Sequence, residues 1–165
     1  NSGYSRYEIS NYCLPRHQSR HNRVYWSGLG WWSFGQGSTS SPWGEKLTRP
    51  RVSKDYKEWV FRQYELNLDS SLTNKDFVYK ELDEKIMLGL RLKEGVDIKE
   101  VFQEQNWDNK KFKSNFIKLL EEWERFLESG LLVRKGNRFF LSDPKGMELS
   151  NQVLISLFKW WDEIN

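Results

Sequence analysis

Residues 108–141 read DNKKFKSNFIKLLEEWERFLESGLLVRKGNRFFL, and the hydrophobic period changes partway along them. Phe112, Phe116, Leu119, Leu120, Trp123, Phe126 and Leu127 recur every three or four residues, which places them on one face of a helix. Asp108 stands where an N-cap is needed, and Gly130 stands just past the last apolar position. From Leu131 to Leu141 the pattern becomes that of a hairpin turning at Gly136-Asn137, a two-residue turn with glycine first. A long amphipathic helix running into a hairpin makes this half of the chain an α-rich domain with a small sheet.

Working outward, the pattern predicts a helix over 76–93 with Phe77, Leu82, Ile86, Met87 and Leu90 inward and Gly95 as its stop. Asp97-Ile98-Lys99-Glu100 resembles a capping box and opens a short helix. Downstream, Asp143 is the expected cap and Pro144 the first residue of a last helix, lined by Leu149, Val153, Leu157 and Trp161. Helix, helix, helix, hairpin, helix is close to a winged-helix order. Residues 67–75, NLDSSLTNK, read as a linker and mark the expected domain boundary.

The first half is less regular. Residues 4–14, YSRYEISNYCL, read as a strand, with Tyr7, Ile9 and Asn11 on one face, Glu8, Ser10 and Tyr12 on the other, and Pro15 as its end. Residues 15–50 carry no clean period; a short strand is expected near Trp31–Gly35. A helix is expected over 53–66, capped by Ser53, with Asp55 in its first turn and Tyr56, Trp59, Val60 and Tyr64 as its stripe.

Composition narrows the function. The 165 residues carry a formal net charge of +3, too weak to imply nucleic acid. The charge is uneven: residues 1–66 hold ten Lys+Arg against five Asp+Glu, and the remainder sixteen against eighteen, so an acidic ligand is drawn to the first half. The single cysteine, Cys13, excludes a disulfide framework and any cysteine-held cluster within this chain, and suits a reducing compartment. No apolar run approaches the ~18 residues of a membrane span. Nine tryptophans are present, many beside glycine or charged residues, an arrangement a flat ligand can use.

The first half also holds the run His21-Asn22-Arg23-Val24-Tyr25-Trp26. An imidazole followed by a phenol and an indole suits a porphyrin, with His21 as axial ligand and Tyr25 and Trp26 against the ring. The plainer alternative is a surface histidine that caps a turn. His17, four residues earlier, would share a helical face with His21 and make a zinc pair, but Pro15 and the missing apolar spacing argue against a helix there. Arg20, Arg23, Arg49 and Arg51 are either partners for porphyrin propionates or solvated surface. Glu8 either meets a ligand or pairs with Arg6, the pairing being the expected outcome. Gly28, Gly30, Gly35 and Gly37 either cradle an anion or bend a strand; their spacing is not that of a nucleotide loop.

Tyr7-Glu8-Ile9-Ser10-Asn11, the His-Asn-x-x-Tyr-Trp run and the stretch to Gly37-Ser38-Thr39-Ser40 together resemble the HemW heme chaperones, radical-SAM relatives of oxygen-independent coproporphyrinogen III oxidase. Asp83-Glu84, Met87 to Leu92 and Gly95-Val96 resemble the start of their C-terminal domain, and Leu141, Lys145-Gly146, Leu149, Asn151 and Val153 its end. The resemblance covers nearly the whole chain but only the C-terminal part of the family's protein. With Asn1-Ser2-Gly3 in place of an initiator Met, a fragment is expected. The resemblance implies heme contact by His21, Asn22, Tyr25 and Trp26, with His21 on the iron, and contact of Phe34, Gly35 and Gly37 with S-adenosylmethionine. It further implies a 4Fe-4S cluster whose cysteine ligands lie outside this chain. Arg16 departs from the pattern: relatives often carry glycine after the proline, where a positive φ is wanted.

The expected fold is α/β over 1–66, the tail of a partial parallel barrel, followed over 67–165 by an α-rich, winged-helix-like domain with a β-hairpin. The resemblance implies a cytoplasmic heme chaperone that binds heme and passes it to acceptor proteins. Two alternatives stand beside it. One is the oxidase, which decarboxylates coproporphyrinogen III by a radical route. The other is a non-catalytic docking or nucleic-acid module, against which the helix after Asp108 weighs. That helix carries Lys110, Lys111, Lys113 and Lys118 and then Glu121, Glu122, Glu124 and Glu128, with no continuous basic face.

Overall fold

The computed structural model describes residues 2–65, 78 and 80–165. Along the first half run β1 (Ser5–Arg6), β2 (Tyr12–Cys13), α1 (Arg20–Trp26), β3 (Thr39–Ser40), β4 (Leu47–Thr48) and α2 (Ser53–Glu65). The second half contains α3 (Leu82–Leu90), β5 (Val96–Asp97), α4 (Ile98–Gln103), α5 (Asn109–Glu128), β6 (Leu132–Lys135), β7 (Arg138–Leu141), α6 (Lys145–Glu148) and α7 (Ser150–Ile164). Contacts gather the described residues into two units, one of 2–27 with 81–165, the other within 28–80. Residues 2–27 thus group with the second half, where a split at 67–75 was expected; the linker itself lies outside the described residues.

In the larger unit the core is built on α5. Asp108 caps it by accepting a hydrogen bond from the Lys111 amide at 2.7 Å. Leu119, Trp123 and Phe126 are buried, and Phe112, Phe116, Leu120 and Leu127 flank them. Phe102 of α4 is the hub: its ring stacks on Trp160 at 5.6 Å and meets Trp107, Phe112 and Phe116 edge-on at 5.3, 5.6 and 6.0 Å. The indole of Trp160 donates to the carbonyl of Asn115 at 3.1 Å, so its one polar group is satisfied inside the core.

The hairpin forms as expected, with Leu132 opposite Leu141 and Lys135 opposite Arg138. A third strand was not foreseen. β5 pairs antiparallel with β7, giving the sheet order β5-β7-β6. Asp97 serves that strand and also caps α4, accepting from the Lys99 and Glu100 amides at 3.1 and 3.2 Å. Gly95 has φ +69°, and a Cβ there would lie 2.0 Å from the carbonyl oxygen of Phe139, so only glycine lets β5 close on β7.

Several expectations need correction. The helix expected over 76–93 starts at Leu82, with Glu81 extended, and ends at Leu90; Asp76 and Phe77 lie outside the described residues. Asp143 does not cap the last helix, because its carboxylate faces Arg6 at 3.4 Å. Ser142 does so instead, its hydroxyl accepting from the Gly146 amide at 3.0 Å. The helix then breaks at Leu149, which is 40 % exposed, so α6 and α7 are separate. Val153 and Leu157 are core as expected, joined by Leu154 and Trp160.

The expected strand over 4–14 is instead two short strands, β1 and β2, joined by a tight loop that the Tyr7 amide closes on the Asn11 carbonyl at 3.1 Å. Alternation fails there, since Tyr7 and Glu8 are both buried. All strand pairings among the described residues are antiparallel.

In the smaller unit, β3 pairs with β4, and a single bridge between Trp31 and Ser41 replaces the strand expected near Trp31–Gly35. Buried Ser40 holds the loop, accepting from the Ser33 amide at 2.9 Å and donating to the Ser33 carbonyl at 3.1 Å. The Tyr56 amide bonds to the Val52 carbonyl, so Val52 holds the position expected of Ser53 and the serine is the first helical residue. No residue of α2 is buried; Tyr56 and Trp59 are half-buried, and Val60 and Tyr64 are exposed, so the expected stripe is not a core face.

Candidate functional site

Residues 21–26 form most of helix α1, a local structure the pattern did not announce. Ser19 caps it, its hydroxyl accepting from the Asn22 amide at 3.3 Å. Seven residues are too few to hold a helix alone, so its stability must come from neighbours. On a helix, residues four apart share a face. The run therefore divides into two pairs, His21 with Tyr25 and Asn22 with Trp26.

The Asn22–Trp26 pair holds the helix down. The Asn22 side-chain amide donates to the Tyr7 hydroxyl at 3.3 Å, and the Arg91 guanidinium lies 5.3 Å from the centre of the Trp26 ring. Between them, Arg23 binds both carboxylate oxygens of Glu94 at 3.0 Å. Tyr25, like Asn22 and Trp26, is half-buried. His21 is exposed, and its ring meets Tyr25 edge-on at 4.9 Å and 83°. An accessible imidazole braced by an aromatic ring is free to ligate a metal from outside.

The platform beneath α1 explains Tyr7 to Asn11. Glu8 is fully buried and, among the described residues, pairs with no cation. Its carboxylate accepts from the Ser10 amide at 3.2 Å, the Ser10 hydroxyl at 3.4 Å and the Asn11 side-chain amide. That overturns the expected pairing with Arg6, which instead donates from Nε to the Tyr12 hydroxyl at 2.8 Å and faces Asp143. The same loop joins residues 91–93: the Ile9 amide donates to the Arg91 carbonyl at 2.9 Å, and the Lys93 amide to the Tyr7 carbonyl at 3.2 Å. Both ends of α1's support thus come from distant sequence, Tyr7 and Arg91–Glu94. Nothing local in the sequence signals it.

The four arginines divide. Arg20 and Arg23 lie on α1, and with Arg16 and Gln18 they line an open basin. Arg49 and Arg51 belong to the smaller unit. Arg49 donates to the Ser38 and Ser40 hydroxyls at 3.1 and 2.9 Å and covers Trp59 at 5.5 Å; Arg51 is exposed, its carbonyl accepting from the Gln36 side chain. Arg16 has φ +68°, so the turn keeps the left-handed backbone that suits the relatives' glycine although arginine stands there, and it is the one non-glycine with positive φ among the described residues. His17 precedes α1, so it shares no helical face with His21; its Nδ1 lies 2.9 Å from the Pro15 carbonyl. Among the described residues no group of three His, Cys, Asp or Glu gathers as a metal site.

Phe34, Gly35 and Gly37 lie at a turn in which Ser38 bonds back to the Gly35 carbonyl. Phe34 is 84 % exposed, and the side of Gly35 where a Cβ would stand is open. On α3, burial raises the Asp83 carboxyl above its ordinary value, outweighing the nearby amides that lower it, and its Oδ1 has no hydrogen-bond partner.

The family model for the HemN C-terminal domain matches residues 80–149. A protein of Synechocystis sp. named heme chaperone HemW is 32 % identical over 98 % of this chain and 41 % of its own length. One of Lactococcus lactis with the same name is 31 % identical over 92 % of this chain and 37 % of its own. The chain therefore spans about two fifths of the length of these relatives. Among solved structures, coproporphyrinogen III oxidase (HemN) from Escherichia coli, described as a radical SAM enzyme, superposes with a TM-score of 0.51 at 14 % identity. That match covers 94 % of this chain and 37 % of the oxidase, and it speaks for the fold alone. No helix among the described residues is long and apolar enough to cross a membrane. The chain is thus similar along nearly its whole length to HemW-type proteins and carries a match to the HemN C-terminal domain in its second half.

Proposed function

We propose that this chain provides the heme-contacting part of a heme chaperone, which binds heme reversibly and passes it to acceptor proteins in the cytoplasm. The observation that carries the reading is the splitting of residues 21–26 into an anchoring pair and a presenting pair. Asn22 and Trp26 fasten α1 through Tyr7 and Arg91, and His21 is left exposed with the half-buried Tyr25 edge-on against it. His21 offers its imidazole to the iron and Tyr25 supports one face of the ring. Trp26, held under the Arg91 guanidinium, serves the contact by fixing α1. Reversibility follows from exposure: a ligand on a seven-residue surface helix is easily given up.

The HemW name of the relatives supports this reading. A 4Fe-4S cluster needs several thiolates, and the one cysteine here, Cys13, is buried in the larger unit, so this chain's residues do not fit that group. Phe34, Gly35 and Gly37 are assigned to S-adenosylmethionine in the intact protein, where the open turn gives a flat ligand access. Residues 1–66 are read as the tail of a partial parallel barrel. The order α3-β5-α4-α5-β6-β7, with β5 against β7, supports a winged-helix-like second domain that packs as a cover and does not read nucleic acid.

The test is a hemin titration of the chain and its His21→Ala variant, followed by the Soret band. The variant is expected to lose the ligand-dependent shift and most of the affinity. Identical spectra and affinity would remove His21 from the site and overturn the proposal.

A further inference from the structure

We propose that Arg16, Gln18, Arg20 and Arg23 form a carboxylate-docking basin that grips the acidic edge of the porphyrin and so sets which way the ring lies against His21. This rests on the heme reading above and adds the part of the ligand, and its orientation, that the iron contact leaves open.

Three observations carry it. The four side chains line one open basin at the start of α1, and Arg20 immediately precedes the exposed His21 in the chain. Arg23 is held by both oxygens of Glu94 at 3.0 Å, whereas among the described residues neither Arg16 nor Arg20 has an anionic partner. The basin therefore keeps two uncompensated guanidinium forks, each matching a carboxylate in shape and charge. The third observation is backbone strain. Arg16 has φ +68°, a conformation that suits glycine and disfavours an arginine. A long cation in a left-handed turn works against folding, and strain of this kind gathers where a side chain has a task. Here the strained residue is itself one of the two uncompensated arginines that line the basin. A heme carries two propionates on one edge. With that edge in the basin and the iron at His21, the opposite, apolar edge faces outward, ready for an acceptor.

Metal-free protoporphyrin IX separates this from ligation, since it has the carboxylates and no iron. Its fluorescence is titrated with the chain, with Arg16→Gly, Arg16→Lys and Arg20→Gln, and in parallel with the dimethyl ester. The free acid is expected to bind at least tenfold more tightly than the ester, and the preference to shrink as salt rises. Arg20→Gln and Arg16→Gly each weaken the free acid about fivefold and leave the ester unchanged, while Arg16→Lys retains most of the affinity. Arg16→Gly also raises the melting temperature, because the strain goes with the side chain; a gain in stability joined to a loss in affinity is not expected of a merely structural arginine. Equal binding of acid and ester, or unchanged affinity in both arginine variants, overturns the basin. If the basin results hold while His21→Ala leaves the hemin spectrum unchanged, the ligation fails and the basin stands. A folded chain that binds neither porphyrin sinks both.

Discussion

Replacing Tyr7 with Phe removes one oxygen and tests how the presenting helix is held. Tyr7 is only 4 % exposed, so the ring stays packed and no cavity opens. What is lost is the acceptor for the Asn22 amide at 3.3 Å. A net hydrogen bond of this kind contributes about 1 kcal/mol. The other ties on α1 are of similar size: the exposed Arg23–Glu94 pair contributes at most about 1 kcal/mol, and the Arg91–Trp26 contact about 0.5–1 kcal/mol. The hydroxyl thus supplies on the order of a third of what fastens a seven-residue helix. With RT near 0.6 kcal/mol, its loss raises the local opening of α1 about fivefold. Hydrogen exchange followed by mass spectrometry reads this directly. The amides of Arg23 and Ser27, bonded to the Ser19 and Arg23 carbonyls at 3.1 and 3.0 Å, are expected to exchange about fivefold faster, with α5 and α7 unchanged. Hemin dissociation accelerates by a similar factor while the Soret position stays, because the ligand set is intact. Asn22→Ala has an equal effect, and the double variant adds little. Unaltered exchange in α1, or equal acceleration in α5, would refute the two-pair reading of the helix.

Gly95→Ala forces both a positive φ and a clash with the Phe139 carbonyl, and is expected to cost on the order of 3 kcal/mol, read as a loss of the denaturation midpoint. Trp160→Ala removes the ring stacked on Phe102 and the bond to Asn115, for about 3–5 kcal/mol of stability by chemical denaturation. Ser142→Ala costs about 1 kcal/mol through the lost cap on α6, whereas Asp143→Ala leaves that helix start intact; thermal melts of the two variants distinguish the roles. Asp83 has a folded-state carboxyl raised above its unfolded value by burial, so its ionised form weighs against folding. That penalty is full above the folded value and disappears below the unfolded one. Stability relative to Asp83→Asn should therefore rise as pH falls through the carboxylate range; a gap between the two melting curves that is constant with pH would contradict it.

The regular half was legible because its signals are local. Asp108 and Asp97 cap the helices they were expected to cap, the α5 stripe is core, and Gly136-Asn137 turns the hairpin. Where those readings missed, a neighbour in space had taken the side chain. Arg6 occupies Asp143, so the cap passes to Ser142. Val96 and Asp97 carry no strand signal of their own and become a strand because β7 offers an unpaired edge.

The candidate site divides along the same line. The residue types and their four-residue spacing are in the chain; that Arg16 takes a positive φ in place of a glycine is decided by the structure. That residues 21–26 are helical, that Asn22 and Trp26 face inward, and that Glu8 is buried without a cation were not readable. The helix and its inward pair depend on partners about fifteen to seventy residues away, and the energy of such contacts has no trace in a local window; Glu8 is satisfied locally by Ser10 and Asn11, a loop closure that alternation did not announce. By itself the sequence determined the helices of the second half, the hairpin and the inventory of ligands, because caps, turns and periods act within a few residues. Only the tertiary structure decided which of those ligands is presented and which serves as an anchor, because burial is a property of what packs alongside.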